Sequence, residues 1–223
     1  MSTSGRFNIY PVSDCCEGKS CAIDALRERQ GGTLKLVLGI NAVMFVVVAV
    51  FGLLSGSTAL LADSLDNLGD ALTYALSLYA VSRDERTKGW VAMFKAALIL
   101  SAALFVIGQI AYKLLHPSVP VFEMMGGIGL LSLAANATCL AVLWKHRQED
   151  VNMSSVWECS RNDIASNIAV LVAAAGVWLF SAGWPDIVVG SLLAALFLRS
   201  ALRVSRGALL AIRAGALSPR PPD

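Results

Sequence analysis

The stretch Ala59-Leu-Leu-Ala-Asp63-Ser-Leu-Asp66-Asn67-Leu-Gly69-Asp70 places three carboxylates in an otherwise apolar segment. At about 100° per residue on a helix, the three acids share one face within an arc of about 60°. Carboxylates this close repel one another strongly where the dielectric constant is low. The pattern therefore predicts a helix face that holds either protons or a cation.

The sequence around this stretch is strongly apolar. Of 223 residues, 56% are hydrophobic and only 15% are charged, and the mean hydropathy is +0.64. Soluble domains have about 25% charged residues, and disordered chains have low hydrophobicity, so both classes are excluded. A net charge of +2 and 8% aromatic residues give no reason to expect a nucleic-acid partner.

Six apolar runs have about the length that a helix needs to cross a bilayer. They are 34–55, 58–82, 90–114, 121–144, 156–181 and 184–204. The sequence thus predicts an all-α, polytopic protein with a six-helix transmembrane domain over 34–205. Residues 1–33 form a polar, cysteine-containing segment without the apolar core of a signal peptide, and 206–223 form a short, frayed tail.

Positive charges predict the orientation, because Lys and Arg accumulate in cytoplasmic connections. The N-terminal segment, the connections near 83–88 and 145–147, and the C-terminal tail are basic. The other three connections contain a single positive charge, Lys113. We therefore expect both termini in the cytoplasm, and we expect no enzyme, because the sequence has no nucleophile–base set and no cofactor motif.

A second polar patch lies in the fifth run, where Cys159 and Asp163 are four residues apart. A thiolate and a carboxylate at this spacing can bind one metal ion. Together with Asp66 and Asp70 on a facing helix they make a tetrahedral set that suits zinc or cadmium better than magnesium or calcium. The alternatives are that Cys159 only packs, as free cysteines often do, and that Asp63 is a helix cap or an accessory group.

These two patches resemble the cation diffusion facilitator family of divalent-metal/proton antiporters. The similarity rests on Ser57-Thr-Ala-Leu-Leu-Ala-Asp-Ser-Leu-Asp-Asn-Leu-Gly-Asp70 and on Cys159-Ser-Arg-Asn-Asp-Ile-Ala-Ser-Asn167, and extends over roughly 34–205. It implies a transport site in which an acid or histidine precedes an acid by four residues on each helix. Those positions are Asp66 and Asp70, and Cys159 and Asp163.

The resemblance also implies a function. Family members export metal from the cytosol by alternating access in exchange for protons, and need no prosthetic group. Zinc members usually have histidine where this chain has Asp66 or Cys159, so the substitution permits zinc, cadmium or cobalt, with zinc first. A bacterial inner membrane, contact with lipid and a homodimer are expected too, although 206–223 are too short for the family's usual cytosolic domain.

Further polar residues are candidates for accessory roles. Asp63, Asn67, Asn162 and Asn167 could orient the metal ligands, since such ligands need hydrogen-bonding partners. Cys15, Cys16 and Cys21 could capture thiophilic metal, or could belong to a reduced, disordered tail. An alternative function, given the cysteine cluster, is a membrane metal sensor that does not transport.

Overall fold

The computed structural model describes the backbone of residues 15–80, 85–144 and 153–217, and most side chains of 32–76, 93–143 and 163–203. This part of the chain folds into six helices and no strand. They are α1 (Cys15–Ser55), α2 (Thr58–Ala80), α3 (Glu85–Leu115), α4 (Phe122–Trp144), α5 (Met153–Phe180) and α6 (Trp184–Leu217). The all-α prediction is therefore confirmed for the described residues.

Five of the helices contain a stretch that is long and apolar enough to cross a membrane. The stretches are Gly32–Ser55, Met93–Leu115, Phe122–Leu143, Asp163–Phe180 and Trp184–Gly207. Helix α2 is absent from this set because Asp63, Asp66 and Asp70 make it too polar by composition. Six membrane crossings therefore remain a prediction, because these three aspartates, which we call the acidic stripe, keep α2 from being apolar enough to count as a membrane span.

Helix α2 lies at the centre of the fold. It contacts α1, α3, α5 and α6, whereas the main partner of α3 is α6 and that of α4 is α5. The buried core includes Leu60 and Leu65 of α2 together with side chains from all the other helices: Val48, Val106, Met125, Val170 and Leu193. Large apolar side chains such as Val43, Phe94 and Trp178 point outward and are exposed, as a lipid-facing surface requires.

The turn between α1 and α2 is built as a helix-ending motif. The Gly56 amide donates to the Leu53 carbonyl at 3.2 Å, and the Ser57 amide donates to the Gly52 carbonyl at 2.9 Å. Gly56 has φ 65°, a left-handed conformation that suits glycine. The prediction that residues 56 and 57 separate the first two helices is confirmed.

Two helices extend beyond the apolar runs. Helix α1 begins at Cys15 rather than near residue 34, and α6 continues to Leu217, so most of the segment expected to be frayed is helical. Hydropathy locates the part of a helix that lies in the membrane, and it is silent about polar turns that continue outside. The backbone of Cys15, Cys16 and Cys21 is in α1, but their side chains lie outside the described residues.

Candidate transport site

Asp63 lies inside the bundle, with 0% of its surface exposed. Its Oδ2 accepts a hydrogen bond from the Ser132 hydroxyl of α4 at 3.0 Å, and its Oδ1 has no hydrogen-bond partner among the described residues. Asp63 is well inside α2 rather than at its end, so the helix-cap alternative is wrong. Ser132 was not identified from the sequence, since one serine in an apolar run gives no signal.

Two asparagines of the predicted accessory set are equally buried. Asn67 is 1% exposed and Asn167 is 0% exposed. Each side-chain amide donates to the carbonyl four residues earlier, Asn67 to Asp63 at 3.4 Å and Asn167 to Asp163 at 2.7 Å. The two nitrogens are used in this way, and neither Oδ1 atom has a hydrogen-bond partner in the described part of the chain.

The three described carboxylates of the predicted metal site are half-buried. Asp66 and Asp70 lie one turn apart on α2, and Asp163 lies on α5, which contacts α2. Among the side chains that the structure describes, no three histidines, cysteines or acids lie close enough to hold a metal ion. The side chains of Cys159 and Asn162 lie outside the described residues, so the four-ligand set stays a prediction.

A second fully buried aspartate, Asp186 in the first turn of α6, joins three helices. Its carboxylate accepts hydrogen bonds from the Ser57 hydroxyl at 2.6 Å and from the amides of Thr58 and Ala59 at 2.8 and 3.0 Å. The Thr58 hydroxyl also lies 2.9 Å from Oδ2. The Lys113 ammonium, in the last turn of α3, completes the set at 3.1 Å. We call Asp186, Lys113, Ser57 and Thr58 the Asp186 clamp.

The clamp supplies the N-terminal cap of α2. The first amides of a helix have no partner within it, and here Asp186 accepts from Thr58 and Ala59. The Ser57 hydroxyl accepts from the Leu60 amide at 3.1 Å. A carboxylate at a helix N-terminus is also favoured by the helix dipole. The cap therefore fixes the helix on which Asp63, Asp66 and Asp70 lie.

Only part of this clamp is indicated by local sequence patterns. Ser57 and Thr58 before an apolar run are typical of a helix start, but nothing local indicates that the capping carboxylate comes from residue 186. Lys113 was interpreted as a charge in an external connection. It is 6% exposed and ion-paired, so it belongs to the protein interior.

A second buried lysine, Lys95 of α3, contacts the C-terminal half of α2. Lys95 of α3 is 7% exposed and donates a hydrogen bond to the Thr73 hydroxyl. The Thr73 hydroxyl in turn donates to the Gly69 carbonyl at 2.7 Å. Thr73 lies three residues after Asp70, so a positive charge is near the C-terminal end of the acidic stripe. Sequence reasoning missed Lys95 because it is a single lysine close to a helix end.

A buried polar contact joins α1 and α4. The Asn41 side-chain amide, 2% exposed, donates to the Val37 carbonyl at 2.9 Å and lies 3.7 Å from the Cys139 sulfur. This contact joins the two helices through a buried polar group, as interhelical amides do in membrane proteins. The contact is structural, because both partners of the Asn41 amide are groups of the protein itself.

Comparison with known families decides the classification. The family model of the cation efflux transmembrane domain matches residues 34–212. The chain belongs to the cation efflux family. The matched region includes all of α2 and α5 and therefore every membrane residue of the predicted site. With several apolar helices and this membership, the protein is a multi-pass membrane protein.

Curated relatives agree with this membership. The chain is 28% identical to "Zinc transporter ZitB" of Yersinia pestis over 186 residues, which cover 77% of this chain and 59% of the relative. It is 23% identical over 203 residues to "Cadmium, cobalt and zinc/H(+)-K(+) antiporter" of Bacillus velezensis, covering 83% of this chain and 65% of the relative. The chain thus spans about three fifths of the length of these relatives.

Proposed function

We propose that this protein moves divalent transition-metal ions out of the cytosol across a multi-pass membrane domain. The observation that supports it is the position of α2, which has three aspartates on one face and lies at the centre of the bundle. Ionisable groups at membrane depth are costly, and they are found where ions or protons pass. The relatives named as zinc transporters and cation efflux proteins support the same class of cargo.

The proposed ligands are Asp66, Asp70, Cys159 and Asp163. The two helices that contain them contact each other, and one metal ion would need two ligands from each. A thiolate with three carboxylates suits zinc, with cadmium and cobalt as alternatives. Metal ligands must lose protons to bind metal, so the same four groups can take either a metal ion or protons, and this exclusive choice couples export to inward proton flow.

The surroundings of the chain in the cell are also proposals. The bacterial relatives support a place in the inner membrane, and the basic connections support cytoplasmic termini. A homodimer is expected by analogy with the family. The cysteines at 15, 16 and 21 lie on the same side as the cytoplasmic end of α1, where they would meet incoming metal.

Transport is tested with everted membrane vesicles. We expect zinc to accumulate when a pH gradient is imposed, and the uptake to collapse when the gradient is dissipated. Asp70→Ala and Asp163→Ala should each abolish accumulation. The matched control is Glu123→Gln, which removes an exposed carboxylate from the first turn of α4 and should transport like the unmodified protein. Metal uptake that ignores the pH gradient would contradict the exchange mechanism.

The role of Cys159 is tested by metal preference. Cys159→His and Cys159→Asp should change the ranking of zinc, cadmium and cobalt in metal-dependent proton release from purified protein, because a softer ligand favours cadmium. An unchanged ranking in both variants would remove Cys159 from the ligand set. Binding of metal without accumulation in vesicles would favour a sensor over a transporter.

A further inference from the structure

Near Asp63, the side chains offer more buried hydrogen-bond acceptors than donors. Three side-chain oxygens are buried and lack a hydrogen-bond partner in the described part of the chain: Asp63 Oδ1, Asn67 Oδ1 and Asn167 Oδ1. Buried polar atoms are nearly always paired in native proteins. Three unpaired oxygens, all of them acceptors, point to a positively charged partner that the described part of the polypeptide does not supply.

Helix packing places these oxygens at a similar depth. Asp63 and Asn67 are one turn apart on the same face of α2, and Ser132 of α4 contacts Asp63. A Cβ on Gly129 of α4 would touch Leu171 and Val170 of α5 at 3.0 and 3.4 Å. Since consecutive helices run antiparallel, one turn further along α4 brings Ser132 level with Asn167. This register brings Asn167 of α5 to about the level of Ser132 and Asp63.

The donor set decides the chemical class of the ligand. The amide nitrogens of Asn67 and Asn167 are held by backbone carbonyls, so both side chains offer oxygen. With the Asp63 carboxylate and the Ser132 hydroxyl, the set contains only oxygen and a single negative charge. Hard oxygen ligands suit alkali and alkaline-earth cations rather than thiophilic metals. Within this set of four residues a monovalent ion balances the one charge, whereas a divalent ion would need a second carboxylate.

We propose that Asp63, Asn67, Ser132 and Asn167 form a second cation site, separate from the predicted metal ligands, that binds a monovalent alkali ion, sodium or potassium. Asp63 lies nearer the N-terminal end of α2 than Asp66 and Asp70, and Asn67 lies between those two. Binding of the alkali ion is independent of metal transport. Its use as an exchanged ion rests on the proposed function.

The test is thermal unfolding of the purified protein at fixed pH and ionic strength, with EDTA, in sodium, potassium or choline chloride. A ligand that binds only the folded state raises the unfolding temperature in a saturable way. We expect a saturable rise in sodium or potassium over choline, and the ion with the lower half-saturating concentration is the preferred ligand. Equilibrium dialysis with radioactive sodium or rubidium measures the same binding directly.

Variants of three of the four residues locate the ion. Asp63→Asn should abolish the salt-specific rise, and Asn167→Leu should increase the half-saturating concentration at least tenfold. Ser132→Ala, a milder change, should weaken binding severalfold and serves if the other variants do not fold. Asn41→Leu removes an equally buried amide whose nitrogen is bound within the protein, and it should leave binding unchanged.

Several results would overturn the proposal. Equal unfolding temperatures in all three salts would do so, because a proton on Asp63 would then be the missing partner. An alkali effect that persists in Asp63→Asn would place the ion elsewhere. Asp70→Asn should lose zinc transport and keep the alkali effect. If the unmodified protein binds alkali ions and fails to transport metal, the proposed function fails and the cation site stands.

Discussion

Asp186 and Asp63 are both 0% exposed, yet their surroundings differ completely. The carboxylate of Asp186 is surrounded by hydroxyls, helix amides and the Lys113 ammonium, all at 2.6–3.1 Å. Asp63 accepts one hydrogen bond, from Ser132, and its second oxygen has no partner among the described residues. Burial alone therefore does not distinguish a structural acid from a functional one.

The number of donors makes the distinction. A buried carboxylate that is fully hydrogen-bonded and ion-paired stabilises one arrangement of helices. Removing it leaves its partners buried without a hydrogen-bond acceptor or a counter-charge, which lowers the free energy of unfolding. A buried carboxylate with one oxygen that lacks a hydrogen-bond donor lowers the stability of the fold, but that oxygen can bind a ligand. The Asp186 clamp fixes the N-terminal end of α2, and little more than one turn later the same helix presents Asp63, whose Oδ1 has no partner among the described residues.

The largest expected effect comes from breaking the clamp. Asp186→Ala leaves the buried Lys113 ammonium without its carboxylate and leaves the Thr58 and Ala59 amides uncapped. Breaking a buried ion pair on one side costs about 3–5 kcal/mol. We expect a large fall in the free energy of unfolding, measured by denaturant titration in detergent with tryptophan fluorescence.

The control for this prediction is the double variant Asp186→Ala with Lys113→Met. It removes the stranded charge, so part of the lost stability should return, and only the cost of the missing cap, about 1 kcal/mol, should remain alongside the lost packing. Equal stability of the single and double variants would mean that Lys113 is not the partner that matters.

A smaller loss is expected where α6 crosses the start of α2. A Cβ on Gly190 would lie 2.7 Å from the Thr58 hydroxyl oxygen and 2.8 Å from the Thr58 carbonyl carbon. Because backbone cannot move aside without disturbing the cap, Gly190→Ala should cost about 1–3 kcal/mol in the same unfolding assay.

Gly108→Ala is the matched control. Gly108 lies in the middle of α3, and its Cβ would meet nothing within 4 Å. Alanine is favoured over glycine in a helix by up to about 1 kcal/mol, so this variant should be neutral or more stable. A Gly190→Ala protein as stable as Gly108→Ala would show that α6 does not approach α2 as closely as the clamp requires.

This contrast also indicates what sequence can predict. The helices and the buried acids of α2 follow from hydropathy and from the spacing of Asp63, Asp66 and Asp70, since both are local patterns. The Asp186 clamp joins residues more than 120 positions apart, and Ser132 reaches Asp63 across 69 positions. Such pairings depend on how the helices pack, so no local sequence motif predicts them. The polar ends of α1 and α6 were missed because hydropathy ends where the membrane does.

The hydrogen bond from Ser132 is a more modest contribution. Ser132→Ala removes the one donor that Asp63 has among the described residues, and the loss should be about 1–2 kcal/mol. Ser101→Ala is the control, because the exposed Ser101 hydroxyl donates only to the Ala97 carbonyl of its own helix, and surface changes of this kind fall within about 0.5 kcal/mol. Equal behaviour of the two variants would mean that Ser132 does not support Asp63.

The smallest effect on stability is expected from Asp63→Asn, and its sign sharpens the comparison most. The new amide can still accept from Ser132, and its nitrogen can donate to one of the unpaired oxygens of Asn67 and Asn167. A buried negative charge is removed at the same time, so in choline chloride, where no alkali ion contributes, the free energy of unfolding should change by less than about 1 kcal/mol or rise. The same exchange at Asp186 must instead place an amide beside Lys113 and lower stability. If Asp63→Asn destabilised the protein as much as Asp186→Asn, the vacant oxygen of Asp63 would have a structural partner, and the division between a structural and an ion-binding aspartate would fail.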